Sequence, residues 1–378
     1  MIKRILHIPI DDHNAFFLWG PRKTGKSTLL KAQFPYAKNY DLLLTDTRTR
    51  LLLQPSLLRE EIVAQQPPLV IIDEIQKVPT LLDEVHWCLE NTDTKFILCG
   101  SSARKLKREA ANLLGGRAWR YELFPLTIKE LDEPDLLRIL NHGLIPAHYL
   151  QSKPEKSLSA YILDYINEEV HAEALVRNTP IFSKFLESVS FSHGELINYS
   201  NIARDTGVSS KTVRAYYQIV EDTLLGHTLE PWKKSKDRRL IETAKFYLFD
   251  VGIVRALKGM IEIQPKTEEF GRAFEHFLIE EIRAYLSYKE KIMPLAFWRT
   301  VTNIEVDLII GDLNCALEFK ATDTIKADHL KGLKILMEEQ TVKQSIIVCL
   351  EKEPRKVGDI LILPWQQFCQ RLWDDKLI

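Results

Sequence analysis

The chain has 378 residues, is 45% apolar and carries a formal net charge of −1. This length predicts two or three domains, and the near-neutral charge excludes a chain that binds nucleic acid over its whole surface, so such contact needs a local basic patch. The five cysteines are odd in number and form no Cys-x-x-Cys pair, which argues against zinc and disulfide frameworks. Without a signal-peptide pattern or an apolar run of about 18 residues, we expect a cytoplasmic protein that does not enter a membrane.

The first chemical motif is a glycine-bounded loop between a predicted strand at 15–20 and a predicted helix. The loop reads GPRKTGKS and is followed by TLLKAQF, which has helical spacing. This context is typical of a P-loop, in which glycines turn backbone N–H groups toward phosphate oxygens and the helix N-terminus adds its positive end. We expect Lys26 to reach the β- and γ-phosphates and Ser27 to ligate Mg²⁺. The residues predicted to bind Mg-ATP here are Gly20, Lys23, Thr24, Gly25, Lys26, Ser27 and Thr28.

A second predicted strand, at 69–72, is continuously apolar and ends in Asp73 and Glu74. A continuous apolar run is typical of a strand that is buried on both faces. In open α/β sheets, ligands bind beyond the carboxyl ends of the strands. We expect Asp73 to hold Mg²⁺ through water and Glu74 to polarise the attacking water. The alternative, a surface turn with two solvated carboxylates, is disfavoured because the P-loop is also present.

Two further polar positions complete the predicted ATP site. The segment KFILCG at 95–100 predicts a third strand, and Ser101 directly after it is placed to sense the γ-phosphate, with a helix N-cap as the alternative. Arg117 follows two glycines on a loop, where an arginine can complete a neighbouring subunit's ATP site. A surface salt bridge is the alternative for Arg117, and Arg120 is the second candidate.

Four segments carry a resemblance to a known family. They are GPRKTGKST, VIIDEIQKVP, GSSA and GGRAWRYELFPLTIKEL. Together they resemble a group of bacterial and archaeal AAA+ ATPases in which an N-terminal ATPase is joined to a winged helix and a C-terminal nuclease-like domain. The resemblance extends over nearly the whole chain. It implies a ring-like homo-oligomer whose ATP sites are shared between subunits.

The region 198–223 has the pattern of a helix-turn-helix. We expect Gly207 to make the turn, Ser200 to cap the first helix and Ser209 to cap the second. Lys211 and Arg214 then fall on the polar face of the second helix, where they can contact nucleic acid. Two predicted strands flank a basic tip and complete a winged helix, which suits DNA phosphates, although a protein–protein module is the alternative. The basic tip comprises Lys233, Lys234, Lys236, Arg238 and Arg239.

A predicted hairpin near the C-terminus brings carboxylates together. If the chain turns symmetrically over residues 311–314, Asp307 faces Glu318, and Lys320 shares their side of the sheet. Neighbouring carboxylates repel each other unless a proton or cation lies between them, and oxygen ligands favour Mg²⁺ or Mn²⁺. Lys320 can orient water or stabilise developing negative charge.

This hairpin, following a predicted helix that carries Glu275, resembles the PD-(D/E)xK nuclease fold, although a valine stands in place of the family's proline. The resemblance implies metal-dependent phosphodiester cleavage, with Glu275, Asp307 and Glu318 as metal ligands. The alternative is an ordinary surface salt bridge between Glu305 and Lys320, which face each other in the same register.

The sequence as a whole predicts an α/β protein of four parts: a P-loop AAA+ ATPase core at 1–130, a helical lid at 131–185, a winged helix at 186–258 and a restriction-endonuclease-like domain at 259–378. The leading hypothesis is an ATP-driven enzyme that processes branched or structured DNA, since the domain order also resembles Holliday-junction branch-migration motors. The second hypothesis is a nucleotide-dependent oligomeric switch whose C-terminal domain binds partners or DNA without cutting.

Overall fold

A computed structural model describes residues 2–10, 14–101, 118–165, 178–233 and 240–378. The chain divides into two compact units. The first comprises Met1–Pro125 with Asp222–Leu225, and the second comprises Leu126–Glu221 with Gly226–Ile378. Among the helices that lie in these ranges, none is both long and apolar enough to cross a membrane.

The first unit contains a parallel sheet with the strand order β2-β3-β4-β1-β5. The strands are β1 Ala15–Trp19, β2 Lys38–Asp41, β3 Leu69–Asp73, β4 Lys95–Gly100 and β5 Ala118–Glu122. The helices are α1 Lys26–Gln33, α2 Thr45–Leu53, α3 Ser56–Gln65 and α4 Leu81–Asn91. All residues of β1 and β3 are buried, as expected for strands that are covered on both faces. The three strands predicted around the nucleotide site are therefore confirmed, and their parallel direction brings their carboxyl ends to one edge.

The second unit contains a mixed sheet with the strand order β12-β13-β11-β10-β9-β8-β6-β7. Its strands are β6 Gly226–Pro231, β7 Lys245–Leu248, β8 Leu295–Arg299, β9 Glu305–Ile310, β10 Cys315–Lys320, β11 Ser345–Cys349, β12 Arg355–Val357 and β13 Ile360–Pro364. The helices after residue 125 are α5 Leu136–His142, α6 Pro146–Tyr149, α7 Glu155–Tyr165, α8 Thr179–Phe191, α9 Tyr199–Thr206, α10 Ser210–Asp222, α11 Val251–Leu257, α12 Glu268–Tyr288, α13 Lys331–Glu339 and α14 Trp365–Trp373.

The hairpin β9–β10 has the predicted register. Ile310 pairs with Cys315, Ile309 with Ala316 and Leu308 with Leu317. Side chains alternate along a strand, so the residues before and after these pairs keep the predicted faces.

The helix pair α9 and α10 surrounds Gly207, whose φ of 73° lies in the left-handed region that a helix-ending glycine adopts. Ser209 Oγ accepts a hydrogen bond of 3.1 Å from Thr212 N, as predicted for the second helix. The prediction for the first helix is wrong. Asn198 Oδ1 caps it by accepting from Asn201 N at 3.0 Å, because the helix begins at Tyr199 and Ser200 lies inside its first turn.

The strands that follow α10 belong to the sheet of the C-terminal hairpin. β6 pairs antiparallel with β7 and parallel with β8, and β8 pairs antiparallel with β9. The predicted wing strands and the predicted nuclease-like hairpin therefore share one sheet, which brings side chains of β7 to those of β9 and α12.

Candidate functional site

The glycine-bounded loop connects β1 to α1 in the first unit. The buried Lys26 donates hydrogen bonds from Nζ to the carbonyl oxygens of Gly20 and Pro21, at 2.7 and 2.9 Å. Thr24 Oγ1 also donates to Pro21 O, at 2.9 Å. Gly25 begins the helix with a φ of 95°, a conformation that favours glycine. The loop is thus closed around the lysine predicted to reach phosphate.

Ser27 and Asp73 meet at the carboxyl end of β3. Ser27 Oγ donates a hydrogen bond of 2.5 Å to Asp73 Oδ2. Asp73 is 7% exposed, and its Oδ1 finds no hydrogen-bond partner among the residues that the structure describes. A buried carboxylate oxygen left in this way is costly unless a proton or cation satisfies it. The pair therefore fits the oxygen donors that Mg²⁺ prefers.

Glu74 lies beside this pair and is held by side chains from two segments. Its Oε2 accepts a hydrogen bond of 3.3 Å from Ser101 Oγ and another from the Gln76 amide. Gln76 Nε2 also donates to Ser101 Oγ, at 3.1 Å. The predicted sensor Ser101 therefore contacts the predicted catalytic carboxylate. Gln76 was missed from the sequence, where it is one polar residue in the turn after the acidic pair.

The remaining predicted nucleotide residues differ in their surroundings. Lys23 and Thr28 are exposed, on the loop and on α1. Arg117 lies outside the described residues, and Arg120 is exposed on β5. A cavity of about 550 Å³ lies beside α1, between residues 2–7 and the side chains of Thr28, Leu29 and Ala32.

In the second unit, the carboxylates predicted on the hairpin lie together with Lys320. Lys320 Nζ is 2.6 Å from Glu318 Oε1 and 3.7 Å from Asp307 Oδ2. Asp307 Oδ2 also accepts a hydrogen bond of 2.7 Å from Phe319 N. Glu318 is 7% exposed, and within the described ranges its Oε2 has no hydrogen-bond partner. This oxygen could accept a cation or carry a proton.

Burial and neighbouring charges shift the proton affinities of this group. Burial raises the pKa of Glu318 to about 8, and the charge of Asp307 adds to the effect while Lys320 opposes it. For Lys320, burial lowers the pKa, but the charges of Asp307 and Glu318 outweigh burial and raise it. Burial also raises the pKa of Glu275, against the opposing charge of Lys245. Strongly shifted groups in one cluster are typical of functional sites, although structural ion pairs produce them too.

Two residues of β7 that the sequence did not point to reach the same cluster. Lys245 Nζ is 2.5 Å from Glu305 Oε1 and 3.7 Å from Glu275 Oε1. Tyr247 donates a hydrogen bond of 2.6 Å from its hydroxyl to Glu275 Oε1. Because side chains alternate along a strand, Lys245 and Tyr247 share one face of β7. The sequence feature that could have indicated them is a lysine and a tyrosine two positions apart in the otherwise apolar strand KFYL.

The predicted alternative of a Glu305–Lys320 salt bridge is wrong. Glu305 contacts Lys245 and Arg299, the latter at 3.1 Å, because β8 places Arg299 directly opposite Glu305. Lys320 contacts the two carboxylates on its own face instead.

The predicted metal ligands are not assembled around one point in this structure. In the part of the chain that it covers, no group of three or more His, Cys, Asp and Glu side chains is arranged to hold a metal ion. Metal binding by Glu275, Asp307 and Glu318 therefore stays a prediction.

The predicted nucleic-acid contacts are exposed where they are described. Lys211 and Arg214 are exposed on α10, and the Arg214 guanidinium lies 3.8 Å from the ring centroid of Tyr199. Lys233 is exposed just after β6. Lys234, Lys236, Arg238 and Arg239 lie outside the described residues.

Comparison with protein families matches residues 12–132 to the AAA domain. This part of the chain is thus similar to AAA domains, and its parallel sheet and glycine-bounded loop have the arrangement of a P-loop fold. Two families described as domains of unknown function match the rest of the chain: DUF8612 over residues 133–264 and DUF4143 over residues 270–368. The match to the AAA domain therefore ends seven residues after Pro125, where the main segment of the first unit ends.

The similarity to curated relatives extends well beyond the part of the chain that matches the AAA domain. An uncharacterized protein of Mycobacterium tuberculosis is 26% identical over 305 residues, which cover 78% of this chain and 66% of the relative. The chain thus spans slightly less than two thirds of that relative's length. An uncharacterized protein of Methanocaldococcus jannaschii is 23% identical over an alignment of 418 positions, gaps included, which covers 96% of this chain and 86% of the relative.

Among solved structures, the Walker-type ATPase PABY2304 of Pyrococcus abyssi is similar with a TM-score of 0.43 and 13% identity, over 66% of this chain and 92% of that one. The Orc1 protein of Aeropyrum pernix, solved in complex with DNA, is similar with a TM-score of 0.24 and 13% identity, over 65% of this chain and 86% of that one.

Proposed function

We propose that this chain hydrolyses ATP in its AAA domain and that its second unit cleaves branched or structured DNA with the help of Mg²⁺ or Mn²⁺. The observation that carries the proposal is the meeting of Asp307, Glu318 and Lys320 on one face of a hairpin, in a chain whose AAA domain also pairs Ser27 with Asp73.

In the AAA domain, Lys26 would exchange its bonds to loop carbonyls for phosphate oxygens. Ser27 and Asp73 would supply the oxygen atoms for Mg²⁺, which lowers the cost of charge on the phosphates when it is bound. Glu74 would accept the proton of the attacking water, and Ser101 would orient the Glu74 carboxylate. The cavity between residues 2–7 and α1 has the size and the mainly apolar character that suit the adenine base.

In the second unit, Glu275, Asp307 and Glu318 would supply carboxylate oxygens for Mg²⁺ or Mn²⁺. A divalent ion bound there supplies Lewis-acid stabilisation of the phosphate. Lys320 would stabilise the negative charge that develops on the phosphate oxygens, since its ammonium is already close to both hairpin carboxylates. The orphaned Glu318 Oε2 supports this assignment.

The same proposal assigns DNA contact to the helix-turn-helix and wing. Lys211 and Arg214 would bind the phosphate backbone from α10, together with the basic tip of Lys233, Lys234, Lys236, Arg238 and Arg239. The helices between 131 and 185 would form the lid of the AAA domain, with the winged helix and nuclease-like domain following at 186–258 and 259–378. Arg117 would complete the ATP site of a neighbouring subunit in a ring-like homo-oligomer.

A second candidate function is a nucleotide-dependent oligomeric switch that binds DNA or a partner without cutting. The contacts of Lys245 and Lys320 favour it, because both lysines already neutralise the carboxylates that metal ions would need. In that case ATP would control assembly and the cluster would serve as a structural ion-pair network.

The experiment that separates these functions is cleavage of a panel of linear, forked and four-way DNA in Mg²⁺ or Mn²⁺, with ATP turnover measured in parallel. Wild type, Glu74→Gln and Asp307→Ala are compared with Asp323→Ala, which removes an exposed carboxylate of the same unit. We expect wild type and Asp323→Ala to cut and Asp307→Ala to leave the DNA intact. Equal cleavage by wild type and Asp307→Ala would contradict the nuclease assignment, and undetectable cleavage with nucleotide-dependent assembly would favour the switch.

A further inference from the structure

Arg4 lies in the segment before β1 and is half-buried. Its guanidinium donates three hydrogen bonds to backbone carbonyls. Nη1 donates to Thr24 O at 2.5 Å, and Nη2 donates to Phe124 O and Pro125 O at 2.8 and 3.1 Å. Thr24 belongs to the phosphate loop, whereas Phe124 and Pro125 follow β5 at the point where the chain leaves the first unit.

We propose that Arg4 is a positioning residue of the nucleotide site, which holds the phosphate loop in its binding shape against residues 123–125. The inference rests on the nucleotide-binding part of the proposed function. It concerns a residue outside the P-loop motif, sixteen positions before Gly20.

The geometry of a peptide group explains how Arg4 can act on a phosphate it does not touch. The carbonyl of Thr24 and the N–H of Gly25 belong to one planar trans peptide, so they point in opposite directions. By bonding to the carbonyl, Arg4 sets the direction of the Gly25 N–H. A Cβ on Gly25 would lie 3.8 Å from Arg4 Nη1, so the guanidinium also packs directly against the loop at this position.

The other end of the loop contacts the same segment. A Cβ on Gly20 would lie 2.5 Å from Leu123 O, and Leu123 N donates a hydrogen bond of 2.7 Å to Trp19 O. Residues 123–125 therefore touch the loop directly at Gly20 and through Arg4 at Thr24. This segment therefore supports the loop at both ends.

Arginine is the residue type that this arrangement needs. Three carbonyl oxygens from two segments can be satisfied at once by a planar group with five N–H donors and no acceptor. A lysine keeps the charge but presents its donors from a single nitrogen, so it cannot span the same acceptors. Arg4→Lys is therefore the informative conservative variant.

The test measures binding of Mg-ATP and of inorganic triphosphate to the full chain by isothermal titration calorimetry, for wild type, Arg4→Ala, Arg4→Lys and Lys31→Ala. Lys31→Ala removes an exposed cation from α1 and serves as the matched control. Arg4→Ala is expected to raise the Kd of both ligands about tenfold. This corresponds to losing the net free energy of one to two hydrogen bonds that hold the loop. Arg4→Lys should recover only part of this loss, and Lys31→Ala should bind like wild type.

The outcomes separate this inference from the function it rests on. Wild-type affinity of Arg4→Ala for both ligands would overturn the positioning role. Loss of ATP affinity with unchanged triphosphate affinity would overturn it as well, because Arg4 would then act on the base. If wild type binds neither ligand, the proposed nucleotide site itself fails.

A second measurement covers the case in which Arg4→Ala does not fold. Hydrogen exchange at Gly25 N is compared in wild type and Arg4→Lys without nucleotide. The proposal expects faster exchange in Arg4→Lys, because the Thr24–Gly25 peptide loses part of the contact that holds it. Equal exchange in the two proteins would overturn the positioning role.

Discussion

Ser27 and Asp73 stand 46 positions apart in the chain, yet the serine hydroxyl donates a hydrogen bond of 2.5 Å to the aspartate carboxylate. The contact joins the first turn of α1 to the carboxyl end of β3. It brings the loop predicted to hold phosphate next to the acid predicted to hold Mg²⁺, and both predictions can be tested through it.

Asp73→Asn should abolish most Mg²⁺-dependent ATP turnover, because an amide is a poorer ligand for a hard cation than a carboxylate. We expect kcat to fall by roughly a hundredfold, while ATP binding measured in EDTA stays unchanged. Steady-state turnover and calorimetry of ATP binding check this. Asp46→Asn, an exposed acid in the first turn of α2, is the matched control. Normal turnover of Asp73→Asn would contradict the magnesium assignment.

Glu74→Gln should bind ATP and hydrolyse it at least about a hundredfold more slowly, since loss of a general base typically removes two to four powers of ten. Ser101→Ala should lower kcat by a smaller factor, about tenfold, because the Glu74 carboxylate loses the hydroxyl that holds it. KM for ATP should change little in both variants. Glu60→Gln, an exposed acid of α3, should behave like wild type. An equal loss in Ser101→Ala and Glu74→Gln would mean that Ser101 does more than orient.

Lys245→Met should destabilise the second unit strongly. The Lys245 side chain is 5% exposed and contacts Glu275 and Glu305. Its removal leaves the half-buried Glu275 without this cation, whereas Glu305 keeps Arg299, so we expect a loss of about 2 to 3 kcal/mol, less than the roughly 3 to 5 kcal/mol of a fully buried pair. Lys356→Met is the control, because Lys356 pairs with Asp359 at side-chain exposures of 62% and 84%, where an ion pair contributes about 0 to 1 kcal/mol. Urea unfolding followed by circular dichroism measures both. Similar free energies of unfolding for the two variants would contradict the buried network.

The stability of the second unit should depend on pH through His276, whose pKa is lowered to about 3 by burial, against the opposing effect of its hydrogen bond with Leu248 O. The groups facing it are His193 and Tyr247, and Arg283 adds a positive charge nearby. His276 stays neutral in the folded protein, whereas the unfolded chain takes up a proton below about pH 6.5. The contribution of His276 to the free energy of unfolding is therefore complete above that pH and is lost as the pH falls. The loss reaches about 3 kcal/mol at pH 4.5.

The check is the free energy of unfolding of wild type and His276→Gln at pH 8 and pH 4.5. The variant cannot take up this proton, so it should lose less stability than wild type on acidification. His7→Gln, at an exposed position, should follow wild type at both pH values. Parallel losses in wild type and His276→Gln would rule out this contribution.

Glu281 should make the stability of the second unit depend on pH in the direction opposite to His276. Its carboxylate accepts hydrogen bonds from Ile128 N and Trp373 Nε1, but burial outweighs them and raises its pKa to about 8. The unfolded chain ionises Glu281 above about pH 4.5, so this stability is complete below that pH and is lost as pH rises toward 8. Glu281→Gln keeps an acceptor but cannot ionise. Its stability relative to wild type should rise by up to about 4 kcal/mol between pH 5 and pH 9. A constant difference would contradict the raised pKa.

Several features followed from local patterns in the sequence. The strands β1, β3 and β4 were predicted because continuous apolar runs next to a P-loop have one common solution, a parallel sheet covered on both faces. The register of the β9–β10 hairpin was predicted because a short turn fixes which residues face each other. The grouping of Asp307, Glu318 and Lys320 followed from that register.

The contacts that the sequence did not predict join segments that are distant in the chain. Lys245 contacts Glu305 instead of leaving it to Lys320, because β6 and β7 join the sheet beside β8. Arg4 reaches Phe124 and Pro125 from the other end of the first unit. No local periodicity encodes such partners, since they depend on which strands become neighbours.

The sequence by itself thus determined the chemistry of the P-loop and of the acidic strand, together with the side of the hairpin on which the carboxylates lie, because these depend on residues within one loop, strand or turn. Only the tertiary structure decided that Gln76 contacts Glu74, that Lys245 and Tyr247 reach Glu275, and that Arg4 donates hydrogen bonds to Thr24. The physical reason is that strand order and burial choose the partners of long side chains, and a buried charge or carbonyl must find a partner wherever the fold provides one.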